Sequence, residues 1–300
     1  MSLSINSPLL ESLPLGQLNK TRVWMKMDAM QPSGSFKIRG VGHACEYHFS
    51  RGAQRFVSSS GGNAGLAVAY AGRRLGVPVT VVVPESTSAR ARHLLELEGA
   101  DVRVHGKTWM EANELALSLL SENDAFIHPF DDPLLWEGHA SMIDEVVATG
   151  LRPDAVILSV GGGGLLAGVH NGLQRNGLNI PIFAVETTGM SSFRAAIEAG
   201  HPVTVPELTG VATSLGAKQV CEQAFNLTKE REVISLTVSD RQAVDACLTF
   251  LDDHRVLVEP ACGASLAILY NQLIDISEMK NVLVIVCGGS TATTSSLQCF

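Results

Sequence analysis

The sequence is short of charge. Asp, Glu, Lys and Arg make up only 17% of its 300 residues, with 22 basic against 30 acidic side chains and a net charge of −8. Hydrophobic residues reach 46%, which excludes a disordered chain. The missing basic excess argues against sequence-independent binding to nucleic acid or an anionic membrane, since both need positive patches. Long apolar runs are missing too. The longest are strand-length, such as Val282–Cys287, well short of the ~20 residues that a membrane span requires. Residues 1–20 show no basic block followed by an apolar one, so no secretory leader is expected. The six cysteines (Cys45, Cys221, Cys247, Cys262, Cys287 and Cys299) form no CxxC pair and no zinc spacing. Several sit in apolar segments, where reduced buried thiols and a cytoplasmic setting are expected. HExxH, a GxSxG elbow and the Gly-Lys-Ser/Thr end of a P-loop are all absent, which removes zinc proteases, triad hydrolases and P-loop nucleotide enzymes.

What the sequence has is alternation and glycine. Short β-rich runs, among them Arg22–Met27, Arg55–Ser58, Val79–Val83, Ala155–Val160, Ile182–Glu186 and Val282–Cys287, alternate with helical patterns such as Lys37–His48, Asn63–Leu75, Leu134–Ala148, Leu165–Arg175 and Ala261–Gln272. Most of the strand runs are apolar throughout, as parallel strands covered on both faces must be. The order predicts an α/β protein with right-handed crossovers.

The 28 glycines cluster where strands pass into helices. Ser58-Ser59-Ser60-Gly61-Gly62-Asn63-Ala64-Gly65 follows one strand and opens a helix. Two readings stand level: a helix N-terminus offering N–H groups and hydroxyls to an anion, or a tight turn with Asn63 as N-cap. Gly161-Gly162-Gly163-Gly164 follows the strand Ala155–Val160. Four glycines have no evident packing use there and raise the entropy lost on folding, so close approach to a phosphate is the better explanation. Which phosphate stays open. Gly162-x-Gly164-x-x-Ala167 with Glu186 about 20 residues on also permits a dinucleotide site, with Glu186 on a ribose.

A third feature is Pro32-Ser33-Gly34-Ser35-Phe36-Lys37-Ile38-Arg39-Gly40. Lys37 falls in the first turn of its helix, where the helix dipole and burial beside Phe36 both disfavour a protonated amine. Such a lysine is a nucleophile toward aldehydes; the rival reading is a solvated lysine at a helix start, which taken in isolation would win. The fourth is the run Val282–Val286 leading into Cys287-Gly288-Gly289-Ser290, at the strand end where parallel sheets bind ligands.

Together these stretches resemble the fold type II pyridoxal-phosphate enzymes, most closely the L-serine/L-threonine dehydratases. The likeness runs from about Pro8 to Gly289 and is strongest at Gln31–Gly40, Ser59–Gly65, His128–Ala140, Ser159–Leu166, Leu257–Ala264 and Val286–Ser290. It implies a tryptophan synthase β-like fold of two open, twisted, mostly parallel sheets with flanking helices. The large domain would be residues 1–36 and 132–300, with a small domain, 37–131, inserted. Lys37 would hold the cofactor's aldehyde. Phe36 and Ser214 would flank its ring, Asn63 would bond the ring hydroxyl, Gly161 to Gly164 would hold the phosphate, and Cys287 would face the ring nitrogen. Ser59, Ser60, Gly61 and Ala64 would surround the substrate carboxylate, with Ser60 also serving catalysis. Glu186, the Ser192 hydroxyl and the carbonyls of Met190, Leu215 and Ala217 would surround potassium or another cation.

The activity implied is elimination of water and ammonia from L-serine or L-threonine by a homodimer, with small-molecule amino acids as the ligands. Serine racemase and cysteine-synthase-like β-substitution are the rivals within the resemblance, and a NAD-dependent dehydrogenase is the rival outside it. Gly61 stands where relatives in this resemblance carry Ala or Ser, which would loosen the substrate loop.

Overall fold

The computed structural model describes residues 2–300. Two sheets form among them. The larger runs β1 (Leu9–Ser12), β2 (Arg22–Lys26), β10 (Asn281–Ile285), β7 (Ala155–Ser159), β8 (Ile182–Thr187) and β9 (Val233–Val238), in that spatial order. The smaller runs β5 (Asp101–Val104), β4 (Val79–Val83), β3 (Arg55–Ser58) and β6 (Asp124–Phe126). Every pairing is parallel except β1 with β2. The apolar runs explain this. All five residues of β7 and of β4 are buried, because helices cover both faces, and each fully buried Val, Ile or Leu contributes about 1.5–3 kcal/mol.

Each sheet has its own core. Phe56, Val68, Val81 and Leu95 centre the smaller one, and Leu3 and Leu135 pack into it from outside the strands. Val156, Leu166, Phe193 and Val284 belong to the larger one. The helix Pro133–Ala148 joins the two, with Leu135 near its start in the small core and Met142, Ile143 and Val146 in the large one.

Three elements depart from the sequence expectation. β1 pairs antiparallel at the sheet edge and is only four residues long, Leu-Leu-Glu-Ser, with Leu10 exposed, so it carries no clear period. The helix Leu13–Asn19 begins at a Ser12 N-cap with Pro14 inside its first turn, where proline is tolerated, although Pro and Gly together look like a turn. The run Val282–Cys287 stops pairing at Ile285 and leaves Cys287 beyond the strand.

Because the strands run parallel, their C-terminal ends share one edge of each sheet. The segments after β2, β3, β6, β7 and β10 leave those edges, and they carry Lys37, Asn63, Pro129, the glycines at 161–164 and Cys287.

Candidate active site

Lys37 opens the helix Lys37–Ser50. The turn before it is laced to the segment after β10. Phe36 N–H donates to the Cys287 carbonyl at 3.0 Å, Gly289 N–H donates to the Gly34 carbonyl at 2.9 Å, and Ser35 bridges Gly288. The Lys37 amine donates to the Pro129 carbonyl at 2.5 Å and lies 5.3 Å from the Phe36 ring centre. It has no carboxylate partner within ion-pair distance among the described residues. Burial lowers the amine to about 8, with Cys287 and Glu259 opposing the shift.

The neighbouring contacts close into a ring. Pro129 leads into Phe130, whose side chain fills the space where a Cβ on Gly162 would lie, 2.3 Å away. Gly161 approaches Leu215 so closely that a Cβ would meet its Cα at 2.9 Å. Ser214 is bonded by Asn63 Nδ2 at 3.3 Å, and Asn63 Oδ1 accepts from Ser290 N–H at 3.0 Å. Ser290 leads back through Gly289 and Gly288 to Cys287 and Phe36. One site is thereby enclosed by six segments distant in sequence.

Two physical expectations are corrected here. The glycines at 161–164 do have a packing role: Phe130, Leu215 and Ala224 occupy the places their side chains would take. Gly163 also adopts φ +97°, in the left-handed region that glycine enters freely. The phosphate argument survives in another form. The N–H groups of Gly161, Gly162 and Gly163 donate to no acceptor among the described residues, and they sit at the N-terminus of the helix Gly164–Arg175. The other correction concerns Asn63. It is the first residue of its helix, not its cap. Gly62 precedes it, which frees the Asn63 side chain to turn into the site.

In the loop after β3, Ser59 is fully buried and donates its hydroxyl to Asn113 Oδ1 at 2.8 Å, so only its backbone is left for a ligand. Ser60 is half-buried, and its hydroxyl oxygen accepts from Gly62 N–H at 3.3 Å, leaving its proton available. Ala64 is buried. Gly61 presses against Thr87 and Val83, and a Cβ there would lie 2.7 Å from Thr87 Cγ2. The loop is therefore packed at Gly61.

Cys287 is buried, and a hydrogen bond with Cys262, with burial second, pushes its thiol far above its usual range. It stays neutral. Among the described residues, all six cysteines are free, and five are buried. His128 is fixed as a neutral ring: Nδ1 accepts from Phe130 and Asp131 N–H, and burial pulls it down to about 4. It shapes the turn that presents the Pro129 carbonyl.

Glu186 lies at the end of β8, away from the ring. Both its oxygens accept N–H groups, from Phe193 and Arg194, each at 2.8 Å, so it caps the helix Ser192–Ala199. Met190 Sδ would lie 3.7 Å from a Cβ on Gly216, which brings the Met190 turn beside Leu215 and Ala217. The Ser192 hydroxyl is buried without a partner there.

One residue in the site escaped the sequence reading. Glu259 is buried at the start of the helix Pro260–Tyr270 and accepts from Asn63 Nδ2 at 2.7 Å. The available signal was a lone acid in the otherwise apolar stretch Val256–Ala264. A cavity of about 220 Å³ lies against Glu259, Ser214 and Thr291.

Comparison with known proteins shows the family. A family model described as pyridoxal-phosphate dependent enzyme matches residues 2–288. The chain belongs to that family. It is 49% identical to a Mus musculus protein named serine dehydratase-like, over 97% of this chain and 92% of that one. It is 47% identical to the Homo sapiens L-serine dehydratase/L-threonine deaminase, over 99% and 94% of the two chains. The solved structure of a fungal L-serine ammonia-lyase from Rhizomucor miehei superposes with a TM-score of 0.94 at 35% identity, covering 99% of this chain and 98% of that one. The residues present suit the family's cofactor: an amine of lowered basicity, unpartnered N–H groups at a helix start, and a buried amide with fixed polarity surround one space. Membership also removes the dehydrogenase reading.

Proposed function

We propose that this pyridoxal-phosphate-dependent enzyme eliminates water from L-serine and from L-threonine and releases ammonia, leaving pyruvate or 2-oxobutanoate. The carrying observation is the Lys37 amine, lowered to about 8 and enclosed by the ring of contacts from Asn63, Ser214, Gly161–Gly164, Phe130 and Cys287. The names of the relatives support the same reading.

Lys37 would hold the cofactor's aldehyde carbon. The N–H groups at Gly161 to Gly164 would hold its phosphate, Asn63 its ring hydroxyl and Cys287 its ring nitrogen, with Phe36 and Ser214 on the two ring faces. Bound there, pyridoxal phosphate supplies an electron sink for the pair left at the substrate's Cα.

The protein manages position and protons. N–H groups of Ser59, Ser60, Gly61 and Ala64 take the substrate carboxylate at the start of the helix Asn63–Leu75. The Ser60 hydroxyl keeps a proton free to donate to that carboxylate or to the β-hydroxyl. With its amine free, Lys37 would be the base that takes the proton from the substrate's Cα. At pH 7 an amine with this basicity is neutral in roughly one molecule in ten, compared with fewer than one in a thousand for an ordinary lysine. Having taken the α-proton, Lys37 carries the acid for the departing hydroxyl. A neutral thiol at Cys287 would not force protonation of the ring nitrogen as a carboxylate would, so the ring would be a milder electron sink. That suits rapid loss of the β-hydroxyl over reprotonation at Cα.

Potassium, or another cation, would sit beside Glu186, where the buried Ser192 hydroxyl lacks a partner, and the resemblance adds the carbonyls of Met190, Leu215 and Ala217. A higher unfolding midpoint in potassium than in tetramethylammonium chloride would support it, and equal midpoints would remove it. No helix among the described residues is long and apolar enough to cross a membrane. Five buried thiols suit a reducing cytoplasm. The resemblance supports a homodimer, which light scattering would check.

The deciding assay is pyruvate and ammonia from L-serine, run beside cysteine formation with sulfide. Pyruvate supports the proposal. D-serine or cysteine as the main product would move the enzyme to racemisation or β-substitution.

A further inference from the structure

We propose that Glu259 is a positioning residue that acts through Asn63. It would hold the Asn63 amide with its nitrogen turned into the cofactor space. The inference rests on the functional reading above, because it takes Asn63 as the group that meets the cofactor.

The geometry leaves Asn63 one orientation. Its Nδ2 donates to Glu259 Oε1 at 2.7 Å, and its Oδ1 accepts from Ser290 N–H at 3.0 Å. The two ends of the amide are thus read by groups of opposite polarity, and a flipped amide would satisfy neither. The remaining Nδ2 proton makes a long 3.3 Å bond to Ser214, the weaker of the two and the one that a ligand oxygen would replace. Glu259 is itself set with care. A Cβ on Gly289 would fall 2.1 Å from its carboxyl carbon, and Gly289 adopts φ +134°. Only glycine at that position admits the carboxylate. Its other neighbours, Thr291 and Ser214, are also donors.

This arrangement adds a pH dependence. Burial raises the Glu259 carboxyl to about 7, against hydrogen bonds from Ser214, Asn63 and Thr291 and the charge of Lys37. The titratable groups that face it are Lys37 from the start of its helix, Cys287 after β10, and Cys247 from the helix Asp240–His254. Both thiols are pushed well above neutrality, so near pH 7 only Glu259 and Lys37 change charge. Above pH 7 the ionised carboxylate accepts from Asn63. Below it the acid competes for the same oxygens, and Asn63 is held less firmly.

The test is the dissociation constant of pyridoxal phosphate, with the absorbance spectrum of the bound cofactor read from pH 6 to 8.5. Glu259→Ala should weaken binding about tenfold, as loss of one partner of a buried hydrogen bond does. Asn63→Ala should weaken it similarly. The double variant should be within about twofold of the worse single one, because the two act as one unit. Glu259→Gln keeps an oxygen to accept from Asn63 and should bind within about threefold of the unaltered protein, yet lose the spectral step near pH 7. Multiplying effects of the two alanine variants, unaltered binding by Glu259→Ala, or a persisting neutral step in Glu259→Gln would each overturn the inference. Failure of the unaltered protein to bind the cofactor or release ammonia from serine would instead overturn the functional reading.

Discussion

Lys37 and Arg39 stand at the start of the same helix, and their surroundings are opposite. Arg39 is fully buried in a neutral cluster of two cations and two carboxylates. It meets Asp28 at 2.7 Å and Glu145 at 2.7 Å, while Lys26 meets Glu145 at 2.5 Å, and Ser7 and Ser141 accept the remaining guanidinium protons. Every charge there is answered. Lys37, two residues earlier, has a carbonyl for its only bonded partner among the described residues. The buried carboxylate nearest to it in effect, Glu259, is bonded to an amide. Paired charge ties the helix to β2 and to the helix Pro133–Ala148, so it serves as scaffold. Unpaired charge leaves groups that titrate near neutral pH, where chemistry is done.

That contrast can be broken at several points. The largest effect is expected at Lys37. Lys37→Ala should lower serine turnover by 10³-fold or more, measured as pyruvate released per folded molecule. Arg39→Ala should take a partner from each of Asp28, Glu145, Ser7 and Ser141 in a buried network and destabilise the fold by about 3–5 kcal/mol in denaturant unfolding. A loss below about 1 kcal/mol would mean the cluster is not scaffold.

The pH behaviour of Lys37 sharpens the comparison. Cofactor capture by the apoprotein should speed up about tenfold per pH unit below 8 and level off above it, since only the neutral amine attacks an aldehyde. A plateau reached only above pH 10 would show an ordinary lysine. The linked sign follows. The folded amine loses its proton near 8 and the unfolded one near the ordinary lysine value of 10.5, so the unfolded chain binds the extra proton in between. Stability of the apoprotein therefore rises with pH across that window, and Lys37→Met should flatten the slope. Smallest is Gly61→Ala. Thr87 and Val83 must give way to the added methyl, so the substrate KM should rise severalfold with a stability loss of about 1 kcal/mol.

Much of this was legible in the sequence because parallel strands buried on both faces are apolar throughout, as β4, β7 and β8 are. The helix starts at Lys37 and just after the glycines at 161–164 were legible from the turn residues that precede each helical pattern. The limits have equally physical causes. β1 is too short and too exposed to show a period. The glycines at 161–164 are selected partly by Phe130 and Leu215, residues about 30 and 50 positions away that no local pattern links to them. Glu259 reaches Asn63 across 196 positions, and nothing beside it in sequence marks the contact.

The central claim is that the unpaired amine of Lys37 performs elimination on a hydroxyl amino acid. The most direct measurement adds L-serine to the purified holoenzyme and follows pyruvate and ammonia, with Lys37→Ala alongside. The account predicts equal amounts of pyruvate and ammonia from the unaltered enzyme and at most a thousandth of that rate from the variant. Pyruvate formed by Lys37→Ala at the unaltered rate would contradict it.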